Sequence, residues 1–155
     1  MKEKTAKHRR ILLVEDSPHD VELMLQALGE SHLNKVVVAP DGEQALDYLY
    51  LRRNFKQRAA GNPAVVLLDL KLPKIDGLEV LERIKTDPAL KNVPVVMLSS
   101  SHEEQDLLRS YSLGVNAYVV KPVGFQEFTS TIKEIGIFWG FINQPPPAEL
   151  TLASQ

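Results

Sequence analysis

Five short apolar runs, rich in β-branched residues, punctuate the chain: Ile11–Val14, Val36–Ala39, Ala64–Leu68, Val93–Leu98 and Ala117–Val120. None alternates with polar residues. Each therefore predicts a strand buried on both faces, the signature of a parallel sheet between helical layers. Between these runs the apolar positions change to helical spacing. Ser17-Pro18 pairs an N-cap with proline at the first helical position and predicts a helix to about Leu28. Asp41 caps a second helix whose stripe holds Ala45, Leu46, Leu49 and Tyr50. A third runs from Gly77 to about Thr86 on Leu78, Leu81 and Ile84, and Asp87-Pro88 ends it. Ser101-His102-Glu103-Glu104 has the spacing of a capping box, opening a helix to about Leu113 that Gly114 stops. The last helix extends from Gly124 to about Ile142, before Pro145-Pro146-Pro147. One long polar connection, Asn54–Pro63, precedes the third strand.

The order is strand-helix repeated five times, which right-handed crossovers fold into a parallel sheet with helices on both faces. A length of 155 residues suits one domain. Apolar residues at 44% and charged residues at 25% are ordinary for a globular chain. The net charge of −2 supplies no field for nucleic acid. Lys2, Lys4, Lys7, Arg9 and Arg10 cluster before the first strand and read as a solvated arm. With no cysteine, disulfides, thiolate metal sites and cysteine nucleophiles are excluded, which fits a reducing cytosol. No apolar run approaches the ~20 residues of a membrane span, and no signal-peptide pattern opens the chain. The expectation is a cytoplasmic protein in three parts: a flexible arm over 1–9, one domain over 10–143, and a disordered proline-containing tail over 144–155.

In such a sheet, ligands bind beyond the carboxyl ends of the strands. Glu15 and Asp16 follow the first strand, Asp69 the third, Ser99 and Ser100 the fourth, and Lys121-Pro122 the fifth. Singly, each has a plain explanation: a turn former, a loop hydroxyl, a surface charge. Jointly they do not, because three carboxylates on one rim repel each other without a cation. A hard, oxygen-liganded ion such as Mg²⁺ supplies the missing charge, and the lysine adds a second positive centre.

The blocks ILLVEDS (Ile11–Ser17), LLDLKLPKIDG (Leu67–Gly77), PVVMLSSS (Pro94–Ser101) and AYVVKP (Ala117–Pro122), in this order and spacing, resemble the response-regulator receiver family from about Arg9 to Ile142. That resemblance implies an α/β fold, a (βα)5 doubly wound, flavodoxin-like sheet of five parallel strands in the order 2-1-3-4-5. It implies a phosphoacceptor role for Asp69. Mg²⁺ would be held by Glu15, Asp16, Asp69 and the backbone carbonyl of Lys71. Lys121 would contact the phosphoryl group, and Ser99 would swing toward it with Tyr118 following. It further implies a cis Lys121–Pro122 bond. Ser99 stands where threonine is commoner, and Gly124 where a capping side chain is usual. The function expected is a phosphoacceptor signalling domain, not an enzyme. A metal-dependent phosphohydrolase would need a second acid where Lys71 stands, and a pseudo-receiver would lack the acid pair or the lysine.

No second domain is legible, so the output is expected to be a surface. Phe125, Phe128, Ile132, Ile135, Trp139 and Ile142 recur along the last helix, with Ile137, Phe138 and Phe141 off that stripe. This is more apolar surface than one core face hides. A homodimer through the last helix and fifth strand is expected, using Phe125, Phe128, Ile135, Phe138, Trp139 and Phe141. The loop Asn54–Pro63, LPKIDG, SSSHEEQD (Ser99–Asp106) and Phe138-Trp139 are similar to phytochrome-associated single-domain response regulators. That similarity implies a sensor histidine kinase as partner, bacteriophytochromes among the candidates. A phosphorelay intermediate or a chemotaxis-type messenger is the alternative.

Overall fold

The computed structural model describes residues 9–29 and 35–147. Residues 1–8 of the expected arm and 148–155 of the expected tail lie outside the described residues. Strands β1 (Arg10–Val14), β2 (Lys35–Ala39), β3 (Val65–Leu68), β4 (Val95–Ser99) and β5 (Ala117–Val120) alternate with helices α1 (Pro18–Gly29), α2 (Gly42–Leu49), α3 (Gly77–Thr86), α4 (Glu104–Ser112) and α5 (Phe125–Ile137). All pairings are parallel, and the sheet order is β2-β1-β3-β4-β5. The expected fold and order are both present.

Because successive side chains point to opposite faces of a strand, each central strand feeds two cores. Leu12, Val14, Val66, Leu68, Val95 and Met97 face α2 and α3. Ile11, Leu13, Val65, Leu67, Val96 and Leu98 face α1 and α5. Each such side chain stabilises the fold by roughly 1.5–3 kcal/mol relative to exposure. Burial on both faces holds for β1, β3 and β4 but not for β2 and β5, which are half-buried along most of their length. They are the sheet edges, each with one neighbour.

Several local expectations change. β4 begins at Val95, not Val93, since Pro94 has no N–H and the Val93 amide closes a turn on the Leu90 carbonyl at 2.9 Å. The capping box does not form. Glu103 is the N-cap of α4 without a side-chain bond; the Ser101 hydroxyl accepts from the Glu103 amide at 3.3 Å, ahead of the helix, and donates to Asp106 Oδ2 at 2.6 Å. The last helix is α-helical only to Ile137 and ends in a π-helical turn, Phe138–Ile142. No cis peptide bond occurs among the described residues, so the Lys121–Pro122 bond expected to be cis is trans. Arg9, placed in the solvated arm, donates to the carbonyls of Gly140 and Phe141 at 3.0 and 2.6 Å. Its other terminal nitrogen donates to Gln144 Oε1, the first residue of the expected tail.

The long connection is built rather than slack. Its start is a 3-10 turn, Arg53–Phe55. Arg58 stacks 4.0 Å over the Tyr48 ring and donates to the carbonyls of Tyr48, Ala59 and Gly61. Arg10 donates to the carbonyls of Ala59, Ala60 and Gly61.

Candidate functional site

At the carboxyl ends of β1, β3 and β5 the chain leaves the sheet and delivers Glu15, Asp16, Asp69 and Lys121 to one rim. The Ser17 hydroxyl accepts from the Asp20 amide at 3.3 Å, the expected cap, and turns the chain into α1. The Ser17 amide donates to Glu15 Oε2 at 3.1 Å, which fixes that carboxylate. After Asp69, the loop is held tight by glycine. A Cβ on Gly77 would lie 2.2 Å from the Asp69 carbonyl oxygen, so only glycine lets α3 start this close to the strand end. The Gly77 amide then donates to the Leu70 carbonyl at 2.8 Å. Lys74, with φ +68°, pairs with Asp41 at 3.6 Å and ties the loop to the start of α2.

Oxygens of Glu15, Asp16 and Asp69 all lie within 4.8 Å of one another. Glu15 and Asp69 are buried, and Asp16 is exposed. Lys121 Nζ donates to Glu15 Oε1 at 2.7 Å and to Asp20 Oδ2 at 3.0 Å, and stands 3.8 Å from Asp69 Oδ2. One ammonium thus serves three carboxylates.

The electrostatic result is lopsided. Burial, and then the charge of Glu15, push the Asp69 carboxyl up to about 7. Lys121 and the Lys71 amide, which donates to the carboxylate, pull the other way without winning. Burial works against the charge of Lys121, but Glu15, Asp69 and Asp20 outweigh it and hold the ammonium above the ordinary lysine range. An all-oxygen donor set that is short of positive charge suits a hard divalent cation. The residues present therefore fit such an ion.

Ser99 is buried at the end of β4, and its hydroxyl accepts from the Ser101 amide at 3.1 Å. Tyr118 packs against the α2–α3 core, and its hydroxyl donates to the Ser101 carbonyl at 2.8 Å. Ser99 and Tyr118 thus meet at Ser101, one strand end away from the acids.

The expected interface residues divide. Phe128 and Ile135, 5% and 7% exposed, fill the core under α5 and cannot form a surface, which corrects their assignment. Helical periodicity turns them onto the face that covers the sheet. Trp139 is half-buried against the same core and meets Phe138 edge-on at 5.1 Å. Phe141 is half-buried, while Phe125 and Phe138 are exposed, along with Val120, Val123, Ile137 and Ile142.

Asp20 was not singled out from sequence. An acid in the first turn of a helix reads as a favourable charge on the helix dipole, and that reading hides its contact with Lys121.

The profile of the family described as "Response regulator receiver domain" matches residues 11–133. The probable methanogenesis regulatory protein FilR2 of Methanothrix harundinacea (strain 6Ac) is 41% identical over 140 residues, covering 89% of this chain and 88% of that protein. The phosphorylated cyanobacterial phytochrome response regulator RcpA superposes with a TM-score of 0.85 at 41% identity, covering 90% of this chain and 99% of that one. The bacteriophytochrome response regulator AtBRR is 59% identical with a TM-score of 0.69, covering 88% and 98%. A Mn²⁺-bound form of response regulator Rcp1 gives 0.84 at 37% identity, covering 90% and 99%.

Proposed function

The chain belongs to the response regulator receiver domain family, and on that premise we propose that Asp69 accepts a phosphoryl group from a sensor histidine kinase with Mg²⁺ at the acidic rim. The observation that carries this reading is a buried carboxylate beside a shared lysine and two further acids, all within 4.8 Å or joined by hydrogen bonds. Glu15, Asp16 and Asp69, with the Lys71 carbonyl, would hold the ion. When bound, Mg²⁺ neutralises charge on the transferring group's oxygens. The chain's own parts do the rest. Asp69 presents its oxygen in line with the phosphorus of the phosphohistidine, and the P–N bond breaks as the P–O bond forms. Lys121 carries positive charge to an equatorial oxygen, a preorganised electrostatic contribution. Ser99 donates its hydroxyl to another. This draws Ser99 from its present partner, the Ser101 amide, and loosens the site on which the Tyr118 hydroxyl rests. Local charge then biases a packing switch.

The direct test is labelling with a small phosphodonor plus Mg²⁺. One phosphoryl group per chain is expected on the wild type and none on Asp69→Asn; unchanged labelling of that variant sinks the assignment. Full labelling in excess chelator would remove the role given to Glu15 and Asp16.

The chain's similarity to phytochrome response regulators supports a bacteriophytochrome as the kinase, whereas its similarity to FilR2 supports a kinase of another input. Phosphotransfer rates from purified kinases of both kinds distinguish them. A phosphorelay intermediate would additionally pass its phosphoryl group to a second histidine. No described helix is long and apolar enough to cross a membrane, and the absence of cysteine supports a cytoplasmic site of action. The exposed Phe125, Val120, Val123, Ile137, Phe138 and Ile142 support a homodimer through α5, its π turn and β5. Sedimentation as a monomer at tens of micromolar, the order at which weak interfaces assemble, rejects it.

A further inference from the structure

Lys121 has two strong partners, and only one of them belongs to the acid set that holds the cation. Its bond to Glu15, at 2.7 Å, occupies one oxygen of a carboxylate that groups with Asp16 and Asp69. Its bond to Asp20, at 3.0 Å, reaches the first turn of α1. Asp20 is not in the cluster of oxygens that lie within 4.8 Å of one another. Its carboxylate is part-exposed, its side chain 27% accessible against 12% for Lys121. α1 is anchored on the opposite core by Met24, Ala27 and Leu28, so Asp20 stands on a rigid element.

A cation arriving at Glu15 and Asp69 meets an ammonium already bound to one of them. Two positive charges on one carboxylate repel, so the lysine must give ground. A lysine with no other partner would be left buried and unpaired, a costly state. We propose that Asp20 is a positioning residue, a second seat that takes up the Lys121 ammonium when a cation engages Glu15. The ammonium stays within reach of the Asp69 oxygens without blocking the ion. This rests on the phosphoacceptor reading above and adds to it a residue that reaches neither the metal nor the phosphoryl group.

Asp20→Asn removes the seat and leaves Lys121 leaning on Glu15 and Asp69. The affinity of the unphosphorylated protein for Mg²⁺, measured by calorimetry, should weaken by about three- to tenfold, the worth of one partly buried ion pair. Asp20→Glu should recover most of it. The labelling rate with a small phosphodonor should need more Mg²⁺ to half-saturate in Asp20→Asn, with the rate at saturating Mg²⁺ near that of the wild type.

A loss of field alone would also weaken Mg²⁺ binding, so the cycle is closed through the lysine. In a Lys121→Met background, Asp20→Asn should change Mg²⁺ affinity by less than about twofold. Equal weakening in both backgrounds, or unchanged affinity in Asp20→Asn alone, overturns the role of Asp20. A wild type that binds no Mg²⁺ overturns the metal reading itself, which keeps the two failures distinct.

Discussion

The two ends of the sheet handle charge in opposite ways. At the amino end, residues 48–68 carry Arg52, Arg53, Lys56 and Arg58 without an acid, and Arg10 joins them. Asp47 pairs with Arg52 and Arg53 at 3.4 and 3.7 Å, and Arg58 lies on the Tyr48 ring. Arg58 and Arg10 each donate to three backbone carbonyls. There, fixed local partners answer the charge. At the carboxyl end, one lysine is divided among Glu15, Asp20 and Asp69, and Asp69 is held near neutrality by burial and by Glu15. Charge answered from within the fold stabilises it; charge left unanswered is held ready for something that arrives. The loop and the rim look equally polar in sequence; of its buried side-chain atoms the loop leaves only Arg58 Nη2 and the Tyr48 hydroxyl without a hydrogen bond, whereas at the rim three carboxylates share a single ammonium.

Paired variants can break this contrast, and the largest effect is expected on chemistry. Asp69→Asn should lose labelling completely, while Arg58→Ala should keep one phosphoryl group per chain. Reduced stoichiometry in folded Arg58→Ala would mean that the amino end takes part in the site.

Next comes stability against pH, read in chelator. Folded, Asp69 keeps its proton to about pH 7; unfolded, only to about 3.9. The folded state binds more protons across that window, so Asp69 makes stability fall as pH rises through it. Asp69→Asn lacks the group. Its advantage over the wild type in urea unfolding should grow from near zero at pH 4 to about 2–4 kcal/mol above pH 7. A constant difference from pH 4 to pH 8 would show that Asp69 ionises freely.

At the other end the sign reverses. Arg58→Ala removes a stacked guanidinium and its carbonyl bonds and should cost about 2 kcal/mol. Arg10→Gln, which keeps some hydrogen bonding at a more exposed position, should cost about 1 kcal/mol. Either variant proving more stable than the wild type would show the amino end to be as unfinished as the rim.

Much of this was legible in the chain. The apolar runs that became β1, β3 and β4 could be read because burial on both faces leaves no polar position. Asp41 and Ser17 could be read as caps because a cap is a local event. Glu15, Asp16, Asp69, Ser99 and Lys121 could be placed at strand ends, since a parallel sheet puts all its carboxyl ends on one rim. The failures were of two kinds. Ser101 was misread as the cap because its hydroxyl accepts from the Glu103 amide, two residues on, while the helix begins only at Glu104. Phe128 and Ile135 were misread as surface because a count of apolar residues on α5 does not say which face meets the sheet.

By itself, then, the sequence determined the elements, their order and the residue types at the rim, because these follow from periodicity and from chemistry within a few residues. The tertiary structure alone decided how charge is shared. It brought Asp20 to Lys121 across 101 positions and Glu15 to the same ammonium across 106. It laid Arg58 on Tyr48, and it buried Asp69 deeply enough to raise its carboxyl to about 7. Coulomb energy and desolvation depend on distance and on exclusion of water, and neither is a property of neighbours in the chain.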